Sequence, residues 1–173
     1  GKIKFSTTPR KKYYVANQGC DRVAVFDSET DLVMRYVEVG KYPLQAESPH
    51  NIKISPDGNY WYVSFVAGEA IQKFRVSDDA LVSEVIVGSG AWPTLSFSSD
   101  SKKLYASNIY SGQLLIIDAE KMNIIFNSGP DYLRAPHGAT IDPAGNFLFI
   151  TAQYGNYIYR FDMAQYELLE ISL

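Results

Sequence analysis

One cysteine, two histidines and no long apolar run are what this 173-residue chain has least of. Each scarcity excludes something. A lone thiol, Cys20, allows no intrachain disulfide, and without Cys-x-x-Cys-His there is no covalent c-type haem attachment. Its place in a glycine-bearing loop makes it a candidate exposed thiol. Two imidazoles fall short of the three or four donors of a protein-built copper, zinc or iron site. No apolar stretch approaches the ~20 residues that cross a bilayer, so no membrane span is expected. Charge is scarce too: a net −3 and a pI near 5.4 give no electrostatic hold on phosphate backbones, and nucleic acid is not an expected partner. The basic cluster Arg10-Lys11-Lys12, with Lys2 and Lys4 nearby, is too short for a polyanion site and reads as a solvated turn.

What is present points to strands. Aromatics make up 14% of the chain, thirteen of them Tyr, and such rings suit a pleated surface. A phrase recurs: Ile52-Lys53-Ile54-Ser55 matches Leu95-Ser96-Phe97-Ser98 at an offset of 43 and Ala139-Thr140-Ile141-Asp142 at a further 44. Backwards, Ile3-Lys4-Phe5-Ser6 matches at 49, so the chain starts inside a fourth copy. After each phrase comes a turn (Pro56-Asp57-Gly58, Ser99-Asp100-Ser101, Pro143-Ala144-Gly145) and then a short aromatic and β-branched run. Tyr14, Tyr62, Tyr105 and Phe149 hold one equivalent position in these runs and are expected in the core. A loop with a glycine follows, then a third run ending at Asp27, Arg75, Asp118 or Asp162. An aspartate there can accept from its own downstream amides in a turn, as Asp27-Ser28-Glu29-Thr30 suggests. A fourth run closes the unit. Four short strands every 43 to 49 residues predict an all-β fold, a β-propeller of four-stranded antiparallel blades, and leave no room for helices. The blades are expected at about 1–40, 49–88, 92–129 and 136–173, as one propeller domain or part of one.

The units resemble the YVTN-type β-propeller repeat, on Ser-Pro-Asp-Gly (Ser55 to Gly58), Tyr-Val-Ala-Asn (Tyr14 to Asn17) and the Val-x-Val-Phe-Asp run (Val23 to Asp27). The resemblance spans surface-layer and periplasmic binding proteins, lactonase-like enzymes, and the propellers of nitrous oxide and haem-containing nitrite reductases. It implies about seven blades in a complete ring. Four blades then belong to a larger propeller, the rest supplied by the same longer polypeptide or by another chain; a closed four-blade ring is the alternative. An extracytoplasmic setting (periplasmic, cell-surface or secreted) is implied by the resemblance and agrees with a chain that starts at Gly1 rather than Met.

Loops at one rim are the expected site, because loops on a rigid frame vary without cost to the core. The candidate ligand-binding residues are His50, His137, Trp92, Arg134, Tyr110, Tyr154 and Glu47, with 41–48 and 130–135 as the most elaborated loops. His50 and His137 open equivalent strands in "PHNIKISPDGNYWYVS" and "PHGATIDPAGNFLFIT". They can be read as metal ligands, or as imidazoles that bond a neighbouring loop. No Gly-x-Ser-x-Gly elbow is present, and no catalytic residue is singled out. The expected function is a non-catalytic binding module for a protein or small ligand, with no cofactor. The competing one is a metal- or haem-dependent reductase, or a lactonase-like hydrolase using a histidine with Arg134 and Glu47 at the same rim.

Overall fold

The computed structural model describes residues 4–9 and 11–172, and every regular element among them is a β-strand. Two compact units divide the chain, Gly1–Ser89 and Gly90–Leu173. In the first unit, β1 (Lys12–Asn17), β2 (Arg22–Asp27) and β3 (Val33–Glu38) form one antiparallel sheet. β4 (Pro49–Ile54), β5 (Tyr60–Phe65), β6 (Ala70–Arg75) and β7 (Leu81–Ile86) form a second. In the second unit, β8 (Thr94–Phe97), β9 (Lys103–Asn108), β10 (Gln113–Asp118) and β11 (Asn123–Asn127) form a third. β12 (Pro136–Ile141), β13 (Phe147–Ala152), β14 (Tyr157–Asp162) and β15 (Glu167–Ser172) form the fourth. Each sheet is a meander in which sequence neighbours pair.

Repeated chemistry explains the repeated turns. Between the third and fourth runs of every unit a carbonyl accepts from the amide four residues on: Asp27 from Asp31, Arg75 from Asp79, Asp118 from Met122 and Asp162 from Tyr166, all at 2.8–2.9 Å. The closing residue is left-handed each time, with φ of 57°, 55°, 53° and 59°. Three of the turns are further fixed by the expected aspartate, whose Oδ1 accepts from the amides two and three residues on: Glu29 and Thr30, Glu120 and Lys121, Ala164 and Gln165. Where Arg75 stands instead, Asp78 accepts from Ala80 N and pairs with Arg75 at 2.7 Å.

The first sheet departs from expectation. Ile3 lies outside the described residues, and 4–9 form no strand. Their bonds go elsewhere: Thr8 N donates to Ser77 O, Arg35 donates to Ser6 O, and the Arg35 guanidinium lies 4.8 Å from the Phe5 ring centroid. Phe5 therefore packs onto the core of the first unit, which is built from Val23, Val25, Val37, Trp61, Val63 and Phe74. Lys12 is a second correction. Its side chain is 1% exposed, and its Nζ bonds Asp79 at 3.0 Å and Val76 O at 2.6 Å. A buried cation is costly without a partner of opposite charge, and Asp79 is that partner. The core of the second unit gathers Tyr105, Leu114, Ile116, Leu148, Ile150 and Phe161.

Candidate functional site

Both histidines occupy β-bulges. Pairing between β4 and β5 steps from Pro49↔Phe65 to Asn51↔Ser64, and between β12 and β13 from Pro136↔Ala152 to Gly138↔Thr151. His50 and His137 are the extra residues, and both are exposed. A bulge re-aims the side chain it carries. The third sheet keeps the same spacing: Ile109 N donates to Ala91 O as Val66 N does to Ser48 O, and Trp92-Pro93 stands ahead of β8 where the others have Pro49-His50 and Pro136-His137. Thr94 Oγ1 there donates to the His137 carbonyl.

In the first unit, loop 41–48 is held by two carboxylates. Asp21 accepts from Glu47 N (3.0 Å) and Ser48 N (2.9 Å). Glu47 Oε1 accepts from Lys41 N and, at 2.8 Å, from Tyr42 N. Glu47 is 0% exposed, so its carboxylate works inside the loop. Small neighbours make this possible: a Cβ on Gly68 would fall 2.6 Å from Glu47 Oε2, and one on Gly40 3.1 Å from Oε1. The loop also hands two carbonyls to the chain after β5, since Val66 N donates to Ser48 O and Ala67 N to Glu47 O. Tyr42 OH donates to Glu69 Oε1, and Lys41 Nζ lies 3.4 Å from the same oxygen. The Tyr42 bond holds the Glu69 carboxyl below its ordinary pKa and pushes the Tyr42 phenol above its own. Beside this loop runs an open groove of about 900 Å³, lined by Cys20, Asp21, Arg22, Glu38 and residues 39–46. Leu44 stands on its edge, 100% exposed.

In the second unit, loop 130–135 is fixed by backbone. Asp131 N donates to Ser111 O and Leu133 N to Gly112 O, both at 2.7 Å, and Arg134 N donates to Tyr159 OH at 2.8 Å. Gly112 is left-handed (φ 67°), and a Cβ there would fall 2.0 Å from Leu133 O. Arg134, Tyr110 and Tyr154 are exposed. Trp92 is wholly buried and presents nothing to a ligand. Cys20 is an exposed free thiol, as its loop position suggested. Among the described residues, no group of three or more His, Cys, Asp or Glu side chains could hold a metal, and no helix is long and apolar enough to cross a membrane.

Sequence reading missed Asp21, Leu44 and Asp79. Asp21 is anchored across 26 residues and Asp79 across 65 and 67, separations that no local pattern displays. The one local signal was the doubled aspartate, Asp78-Asp79, in the turn whose usual aspartate is Arg75.

No known family profile and no curated protein matches the chain. Solved structures do. Hydrazine synthase of Kuenenia stuttgartiensis superposes with a TM-score of 0.79 at 19% identity, over 97% of this chain and 48% of that one. A dihydro-heme d1 dehydrogenase, NirN, in complex with DHE, superposes at 0.72 and 16% identity, over 98% of this chain and 36% of that one. Both are propeller-type proteins. The fold is a β-propeller. At these identities the likeness shows the fold alone. This propeller chain spans less than half the length of either neighbour.

Proposed function

We propose that the chain is a YVTN-type, extracytoplasmic propeller module that binds a protein or small ligand without catalysis, and that loop 41–48 is its chief recognition element. The carrying observation is Leu44: a fully exposed leucine on a loop pinned by two carboxylates, beside an open groove. Apolar anchors on pre-organised backbone supply most binding energy, because little entropy is lost when they dock. Tyr42, tied to Glu69, and Arg22, half-exposed on the groove wall, add a phenol and a cation for orientation.

A second reading rests on the paired bulges and on the likeness to two enzymes. In it, His50 and His137 approach a metal or haem held with the help of segments outside this sequence. Imidazole suits copper, zinc and iron, and the remaining donors would have to come from elsewhere.

One pair of measurements separates the readings. A random-peptide library selected on the immobilised chain should yield binders that lose about tenfold affinity or more when Leu44→Asp is introduced. Chelator-free protein analysed for metal and by absorption spectrum decides the other arm. Stoichiometric copper, iron or haem, lost in His50→Ala/His137→Ala, overturns the binding-module reading.

A further inference from the structure

The repeat contains its own template for what covers the outer face of the first sheet. Within the first unit, an offset of 48 sets Tyr13, Val15 and Phe26 in correspondence with Trp61, Val63 and Phe74. The ring pairs match: Trp61 and Phe74 stack at 4.1 Å and 7°, Tyr13 and Phe26 at 4.8 Å and 4°. The turn aspartates match as well. Asp79 accepts from Trp61 Nε1 at 3.1 Å, and Asp31 accepts from Tyr13 OH at 3.3 Å, both from left-handed backbone.

One thing differs. The second sheet's copy is covered by the first sheet, which sets Tyr14 against Trp61 with ring centroids 5.0 Å apart. The same sheet brings Asp79 three partners: Tyr14 OH at 2.9 Å, Lys12 Nζ at 3.0 Å and Arg35 at 3.7 Å. The first sheet's copy faces solvent, with Tyr13 36%, Val15 46% and Tyr36 54% exposed.

We propose that this outer face docks a further sheet of the same repeat, from outside this sequence, whose tyrosine and basic side chain stand where the first sheet has Tyr14 and Lys12. Those two groups meet Asp31 as Tyr14 and Lys12 meet Asp79, while apolar side chains cover Tyr13, Val15 and Phe26. A second copy of this chain is a poorer fit. At an offset of 135 its fourth sheet carries Phe147 and Phe149 in place of Lys12 and Tyr14, so neither the cation nor the phenol is present. Its Arg160 guanidinium already lies over the Phe147 ring, 4.9 Å from the centroid. A carboxylate docked against such a face would be buried without a matched partner.

The test adds the fitting sheet. The chain is extended at its N-terminus by a second copy of residues 1–48, and unfolding is followed by Trp61 fluorescence in a Trp92→Phe background. Docking raises the midpoint by about 4 °C or more. The rise disappears with Asp31→Asn in the original chain, or with Lys12→Met in the added copy. Asp31→Asn in the unextended chain leaves its midpoint in place, because among the described residues no cation pairs with that exposed carboxylate. Maleimide labelling of Val15→Cys in a Cys20→Ser background gives a second readout that needs no melting curve, and docking slows it about tenfold or more. An unchanged midpoint with unslowed labelling, or a rise indifferent to both charge substitutions, overturns the proposal. Concentration-dependent dimerisation of the unextended chain that Val15→Lys abolishes also overturns it, by making a second copy the occupant.

Discussion

Asp79→Asn should cost the first unit about 3–5 kcal/mol, the range for breaking a buried ion pair from one side. The carboxylate has no exposed surface; it accepts from Tyr14 OH, Trp61 Nε1 and Lys12 Nζ, with Arg35 at 3.7 Å. Asparagine tolerates the left-handed backbone at φ 55° and keeps a carbonyl oxygen for the phenol and the indole, so the change removes mainly charge. Lys12, 1% exposed, is then left with Val76 O as its neutral acceptor. Against a typical domain stability of about 5–15 kcal/mol this is a large share, and it moves a urea midpoint by roughly 1–2 M or more. Fluorescence of Trp61 in a Trp92→Phe background reports the first unit. Lys12→Met in the Asp79→Asn protein should recover a large part of the loss, because an apolar stem needs no counter-charge in that place. A loss below about 1 kcal/mol, or no recovery in the double variant, refutes the reasoning: the carboxylate would then not be what keeps Lys12 inside.

Two further predictions concern the second unit. Ser101 is left-handed (φ 62°) where the equivalent turns place Gly58 (φ 74°) and Gly145 (φ 77°), so Ser101→Gly should stabilise by about 0.5–1 kcal/mol in urea melts, net of glycine's unfolded-state entropy. Burial, with Asp100 and Tyr166 nearby, pushes the Tyr105 phenol up to about 12, above its unfolded value of 10. Its contribution is therefore complete below pH 10 and lost as pH rises toward 12, and Tyr105→Phe should flatten that decline by roughly 2–3 kcal/mol in alkaline denaturant titrations read at Trp92.

The strands and turns were legible because their causes are local. An aspartate capping two amides, present in three of the four turns, and a run of alternating rings each leave a mark within five residues, and repetition makes it plain; the left-handed closures at Asp31, Asp79, Met122 and Tyr166 have no one residue type in common and left none. The readings that changed depend on distance. Lys12 looked like part of a solvated basic turn because its partner, Asp79, is 67 residues away in the next sheet. Glu47 looked like a rim carboxylate, yet its oxygen closes loop 41–48 on itself while Asp21, an unremarked loop residue, anchors the other end. Trp92 looked like a rim aromatic and lies inside. The histidines show where the two kinds of information meet. Sequence placed them at equivalent strand starts, but only pairing shows that each is the extra residue of a bulge; the third sheet has Pro93 at the equivalent place, just before β8. Loop 41–48 runs directly into the first bulge, and the Asp21 carboxylate that accepts from Ser48 N fixes the strand start that carries His50.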